Sequence, residues 1–247
     1  MIDANALAVE NLSFAYGKKP ALDDVSFTIE SGHCCMLLGP NGAGKSTLFA
    51  LITRLYDSRQ GSIRLAGFDI KKQTRKALAR LGVVFQQTTL DMDLSVMQNL
   101  RYHSALHGIG RKQANMRIQQ ELERLQMYDR RFEKIRQLNG GHRRRVEIAR
   151  SLLHKPSVLL LDEPTVGLDV PTRQAIVEYI HDLASETNMA VLWASHLIDE
   201  VFANDDILIL HQGRIRATGS VDDVVNQAQA RDIKEAFNNL TQAVGSR

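Results

Sequence analysis

Several things are scarce in this 247-residue chain, and each scarcity excludes something. Cysteine is confined to two adjacent residues, Cys34 and Cys35. Consecutive strand side chains point to opposite faces, so the pair closes no ordinary disulfide loop, and both are expected to be reduced packing residues. Long apolar runs are missing. Val158-Leu159-Leu160-Leu161 is typical of the longest, far short of the roughly 18 residues a membrane span needs. A surplus of one charge is missing too: the formal net charge is +3, with acids and bases alternating along the chain. No global basic field points to nucleic acid, which is therefore not an expected partner. The opening MIDANALAVE has no basic stretch followed by an apolar one, so no signal peptide is expected and the polypeptide itself should be soluble. Repeats and low-complexity segments are absent, and the single tryptophan, Trp193, is expected in the core.

What is present alternates between two textures. From Leu7 to Glu30, apolar and polar residues alternate around the turn YGKKP, which predicts antiparallel strands. HCCMLLG is a short apolar run ending in a glycine-rich loop that enters a helical pattern, STLFALITRLY. GSIRLAGFDI and RLGVVFQ predict two more strands. Residues 88–153 are helical in spacing and rich in Gln, Arg, Leu and Met. SVLLLDEP and AVLWASH then return to the fully apolar runs of buried parallel strands, separated by the helical PTRQAIVEYIHDLASET. ILILHQGRIRATGS predicts a hairpin, and Ile233, Phe237 and Leu240 mark the apolar stripe of a last helix. The chain thus leaves an α/β core for a helical insert and re-enters it.

Gly39-Pro40-Asn41-Gly42-Ala43-Gly44-Lys45-Ser46 fits G-x-x-x-x-G-K-[ST], and it lies between a predicted strand and a predicted helix, as that motif requires. Glycines let successive backbone N–H groups turn toward one anion, and the helix N-terminus adds its dipole. Lys45 is placed to reach β and γ phosphates, and Ser46 to ligate Mg²⁺. The strand ending in Asp162-Glu163 supplies the complementary carboxylates, at the end of a parallel strand where ligands lie. Asp162 is expected to hold Mg²⁺ through water, and Glu163, pointing the other way, to act as general base on the attacking water.

These motifs, with others in fixed order, make the chain resemble the ATP-binding subunit of ABC transporters along essentially its whole length. Tyr16 in FAYG matches the aromatic that stacks on adenine, and Gln86 in VVFQQ the hinge glutamine into the helical subdomain. Asp169 in TVGLD matches the loop that crosses between subunits, and His196 in WASH the switch histidine. The resemblance implies a P-loop NTPase (RecA-like) α/β core, residues 1–87 and 154–219 including an N-terminal antiparallel β-subdomain. It also implies an inserted α-helical subdomain, 88–153, and a short C-terminal helical tail, 220–247, the whole of 1–247 forming one ATPase domain. Catalytic roles fall to Glu163, His196, Lys45 and Gln86. ATP is held by Tyr16, the loop from Gly39 through Ser46 to Thr47, and Asp169, and Mg²⁺ by Ser46, Gln86 and Asp162.

LNGGH, residues 138–142, stands where this family usually has LSGGQ. Leu138, Gly140 and Gly141 match; Asn139 and His142 depart. Asn carries an amide donor that still offers a hydrogen bond to a phosphate oxygen, so function with altered affinity or rate is expected. The three arginines that follow fan about 100° apart around a helix expected from about Arg143 to His154. Arg143 with Glu147 and Glu147 with Arg150 have pairing spacing, predicting a solvated, internally paired face. With no interleaved aromatics, this is not a nucleic-acid patch. His103 and His107 are i,i+4 on a predicted helix, but no HExxH glutamate accompanies them and no third ligand is evident, so a solvated face is expected.

The resemblance further implies a head-to-tail homodimer closing on two ATP molecules and a separate integral-membrane permease. It places the chain in the cytoplasm, peripheral on the inner face of the membrane. DMDLSVMQNLRYHSALHGI resembles ATPases of exporter-type systems, and FQQTTLDMDLSV with LNGGHRRRVEIAR resembles a subgroup linked to quinoprotein (PQQ-dependent) alcohol dehydrogenase systems. The rival reading is a soluble ATPase of the same family that moves no solute, such as an iron–sulfur assembly ATPase acting on a scaffold.

Overall fold

The computed structural model describes residues 5 to 242. In chain order these form β1 (Asn5–Tyr16), β2 (Lys19–Glu30), β3 (Cys34–Leu38), α1 (Lys45–Ile52), β4 (Gln60–Leu65), β5 (Phe68–Asp69), α2 (Thr74–Leu78) and β6 (Leu81–Val84). The helical α3 (Val96–Leu106), α4 (Arg111–Arg124) and α5 (Gly140–Leu152) follow, then β7 (Val158–Asp162), α6 (Val170–Thr187), β8 (Ala190–Ser195), β9 (Asp206–His211), β10 (Arg214–Ser220), α7 (Val221–Gln227) and α8 (Ile233–Gln242). Residues 1–4, and 243–247 of the expected tail, lie outside the described residues.

Two sheets carry the strands. The first is antiparallel, in the order β2-β1-β4-β5. GSIRLAGFDI is not a single strand: Ala66 and Gly67 take φ of 47° and 79°, the pair of left-handed residues that a tight hairpin turn requires, and the chain folds back from β4 into β5. The second sheet runs β10-β9-β3-β8-β7-β6, parallel throughout except at β10. β3 and β8 are buried along their whole length, which is why they read as unbroken apolar runs rather than alternating ones.

The parallel sheet divides two cores. Between the sheets, Leu37, Leu160, Leu192 and Leu208 pack with Leu7, Val25 and Phe49. On the other face Met36, Leu161, Trp193 and Ile207 pack with Ile118, Val146 and Ile180 of the helices. Cys34 enters the second core and Cys35 the first, both as free thiols. Trp193 is fully buried, as expected for a residue with no place in the motifs. Ile233, Phe237 and Leu240 of α8 pack on the helix-side core. Among the described residues no helix is long and apolar enough to cross a membrane.

Two helix boundaries differ from expectation. α1 stops at Ile52 rather than running through Tyr56: Thr53 Oγ1 bonds back to Phe49 O at 2.7 Å, and Arg54 turns left-handed at φ 62°. α5 starts at Gly140, not near Arg143, because Asn139 caps it by accepting from His142 N at 2.8 Å.

Candidate nucleotide site

The loop between β3 and α1 is held by close packing. A Cβ on Gly39 would lie 2.4 Å from Leu210 O. At Gly44, with φ of 116°, it would lie 2.8 Å from Ala21 O. Only glycine fits either place. Lys45 is buried and folds back over the loop, donating to Gly39 O at 2.5 Å. Burial lowers its pKa, while Glu163 and Asp162 pull it back up. Pro40, Asn41, Gly42, Ala43, Ser46 and Thr47 line the same cleft as Tyr16, Gln86, Asp162 and Glu163. Tyr16 stands exposed at the rim, edge-on to Phe14 and Tyr56, its hydroxyl 3.3 Å from Thr47 Oγ1.

Four sequence-predicted residues meet at the end of β7. Glu163 leaves the strand with φ 48°, a left-handed turn unusual for glutamate and fixed by its N–H donating to Ala194 O at 2.9 Å. That turn swings the carboxylate toward the loop. Gln86 Nε2 donates to its Oε2 at 2.8 Å, His196 Nδ1 lies 3.1 Å from its Oε1, and Lys45 Nζ lies 4.0 Å from the same oxygen. Asp162, half-buried one residue earlier, has its pKa raised by burial and then by Glu163, with Lys45 and Arg144 opposing.

Leu138 to His142 lie elsewhere: none of the five lines that cleft. Leu138 is buried, while Asn139 and Gly140 are exposed at the start of α5. Asn139 spends Oδ1 on the helix cap, which leaves its Nδ2 amide as the outward donor. A Cβ on Gly141 would lie 2.8 Å from Thr172 Cγ2, so glycine lets α5 approach the start of α6. There Asp169 caps α6 by accepting from Thr172 N at 2.9 Å.

Comparison with known proteins agrees with this geometry. The ABC transporter family profile matches residues 22–166. The chain belongs to the ABC transporter ATPases. It is 38% identical over 240 residues to the linearmycin resistance ATP-binding protein LnrL of Bacillus subtilis, covering 94% of this chain and 77% of LnrL. It is 33% identical over 232 residues to the Nod factor export ATP-binding protein I of Ralstonia nicotianae, covering 94% and 72%. A solved ATP-binding subunit of an ABC transporter superposes with TM-score 0.86 at 26% identity, covering 95% of this chain and 99% of that one. CbiO1 of Clostridium perfringens, part of the transporter complex cbiONQ, gives 0.81 at 27% identity, covering 95% and 98%. The ligand of this family's nucleotide cleft is ATP, and the family hydrolyses it to power transport.

Other residues of the ATPase fall outside the sequence expectations. The solvated face predicted for the arginines is not there. Glu147 pairs with neither Arg143 nor Arg150; it is buried and accepts from Arg144 Nη1 at 2.9 Å. Arg144 also donates to Phe85 O at 2.7 Å and Gln86 O at 3.0 Å, and Glu147 accepts from Thr89 N at 3.1 Å. Arg150 bonds Thr89 as well. The physical reason is tertiary: the carbonyls left free beyond the end of β6 need donors, and α5 packs beside them. Burial pushes Arg144 down and Glu147 up, and each partner opposes the other's shift. A second missed group is Glu200. It is buried and receives Ser195 Oγ at 2.5 Å and Thr165 Oγ1, tying the segment after Glu163 to the residue before His196. Finally, His103 and His107 do gain a third histidine, His154, from the end of α5.

Proposed function

We propose that this chain hydrolyses ATP as one half of a head-to-tail homodimer that drives a separate membrane permease. The observation that carries the reading is the meeting of Lys45, Gln86, Glu163 and His196 at the C-terminal ends of parallel strands, beside a glycine loop that opens a helix. Glu163 is the general base: its carboxylate faces the cleft with a glutamine amide and a histidine ring fixing its two oxygens. Lys45 and the loop N–H groups stabilise charge on the phosphates. His196 and Gln86 orient the base and the attacking water.

The donors Ser46, Asp162 and Gln86 are all hard oxygen groups lining one cleft, which fits Mg²⁺. They would hold it, and it would neutralise phosphate charge. Tyr16 offers a ring face to adenine. Because Leu138 to His142 lie away from their own chain's cleft, they serve a nucleotide on a second copy. There Asn139 Nδ2, Gly140, Gly141 and the N-terminus of α5 complete the phosphate shell, with His142 and Asp169 at the subunit boundary.

Export is the favoured direction, since several relatives are named for linearmycin resistance, daunorubicin resistance and Nod factor export. The chain then sits peripherally on the cytoplasmic face of the membrane, held by its permease. That permease should co-purify stoichiometrically from detergent-solubilised membranes; a soluble scaffold in its place would establish the non-transport alternative. For the chemistry, Glu163→Gln should cut turnover about 10²- to 10⁴-fold while ATP still binds and traps a dimer in size-exclusion chromatography. Undiminished hydrolysis would remove Glu163 from its role.

A further inference from the structure

The third histidine changes the reading of the first two. His103 lies in the last turn of α3, His107 is the residue that ends that helix, and His154 follows α5 by two positions. One ring nitrogen from each lies within 4.8 Å of the other two. The rings of His107 and His154 are nearly parallel, with centroids 4.1 Å apart, and those of His103 and His107 are 4.6 Å apart.

Nitrogens, not only rings, converge. His103 Nε2 and His154 Nδ1 are buried without a hydrogen-bond partner, a state that disfavours burial unless a ligand satisfies them. The other nitrogen of His154, Nε2, is 2.9 Å from Leu81 O. A carbonyl only accepts, so Nε2 carries the proton and the lone pair is on the buried Nδ1. Metal-ligating histidines are typically anchored in this way, by a backbone carbonyl on the second nitrogen. No carboxylate belongs to the cluster.

We propose that His103, His107 and His154 form a binding site for a divalent transition metal of the zinc type, with the fourth position left to water. Imidazole sets of this composition suit zinc, copper and nickel rather than magnesium or calcium. Zinc–nitrogen bonds are about 2.0–2.1 Å and run in the ring plane, so His107, stacked nearly parallel on His154, must turn out of the stack and the nitrogens must draw closer; exposed at a helix end, it is the ring free to do so. Burial keeps the other two neutral, with pKa near 3 for His103 and near 4 for His154, the form that ligates. Arg150 faces His103 and Arg117 faces His154. Both cations oppose the metal's charge, and both are tied off, to Thr89 and to Leu153 O respectively. None of the three histidines lines the nucleotide cleft. A bound ion would pin the end of α3 to the end of α5, opposite the LNGGH end of that helix.

Among the described residues one other such cluster exists, Cys34, His181 and Asp205. There the histidine already has its carboxylate, at 2.8 Å, and burial keeps the thiol protonated. It serves as an internal control.

The test is titration of the metal-free full-length chain with Co²⁺ alone, followed by visible absorption. The expected result is the d–d bands of four-coordinate cobalt, displaced by Zn²⁺, and lost in His107→Ala and in His154→Ala. His107 is exposed at a helix end, so His107→Ala keeps the fold, which unchanged ATP binding verifies. The rise in thermal midpoint on adding Zn²⁺ should vanish in the same variant. Absence of the bands, their survival in His107→Ala, or a sulfur-to-cobalt charge-transfer band placing the ion at Cys34 would each overturn the assignment.

Discussion

The loop Gly39–Thr47 and the helix α5 both carry glycines and basic residues beside a helix N-terminus, yet they are built on different principles. The loop is determined locally. Its glycines, its lysine and the strand before it specify its shape, and its charge faces a cleft. The helix is determined by what it packs on: of its three consecutive arginines, Arg144 is buried and bound to the backbone just beyond β6. A cation that serves a ligand and a cation that serves the fold look the same in sequence. They should fail differently when removed.

The largest effect is expected in the fold. Arg144→Ala leaves Glu147 buried and unpaired, which typically costs 3–5 kcal/mol. Urea denaturation should register that loss, and Arg144→Met with Glu147→Leu should recover only part of it, since the Phe85 and Gln86 carbonyls and the Thr89 N–H still lose their partners. Lys45→Ala is the converse: turnover should fall about 10²- to 10³-fold, with little change in the urea midpoint, since the lysine is held against burial in the free protein. If Lys45→Ala unfolds the chain, or Arg144→Ala spares its stability, the contrast collapses.

A smaller effect is set by pH. His103 and His154 titrate near 3 and near 4 in the folded chain, below the unfolded value of about 6.5. The unfolded state therefore binds their protons first as pH falls. Their contribution is intact above about pH 6.5 and declines toward pH 4, by about 1–2 kcal/mol each at pH 5 after allowing for partial exposure. Denaturation at pH 7 and pH 5 should show this slope, and His103→Gln with His154→Gln should flatten it. The smallest effect is at Asn139. Serine caps helices as well as asparagine does, so Asn139→Ser should leave stability within about 0.5 kcal/mol and shift only the ATPase rate. Complete loss of activity would mean the Nδ2 donor is indispensable.

Much of the site was legible because its residues are named by short-range pattern. Gly39 to Ser46 is contiguous, and Asp162-Glu163 ends an apolar strand, so spacing alone proposes them. What was illegible depends on long-range packing. Nothing local distinguishes Arg144 from Arg143 or Arg145; only the position of Phe85 and Gln86 against α5 does. His154 stands 47 positions beyond His107, out of reach of any helical period, and Glu200 reads as one more surface acid in LIDE until Ser195 and Thr165 are found upon it. The start of α5 was available in the sequence: an asparagine three residues before a residue whose backbone N–H needs a partner is a cap signal.

Cys34 and Cys35 stand back to back on β3, one in each core, and burial holds both thiols protonated. Neither can react with a labelling reagent until the wall on its own side opens. The chain therefore carries two reporters on one strand. The rate at which Cys35 is alkylated measures opening between the sheets, and the rate at Cys34 measures lifting of the helices, so a single-cysteine pair of variants would time the two halves of the molecule separately as ATP comes and goes.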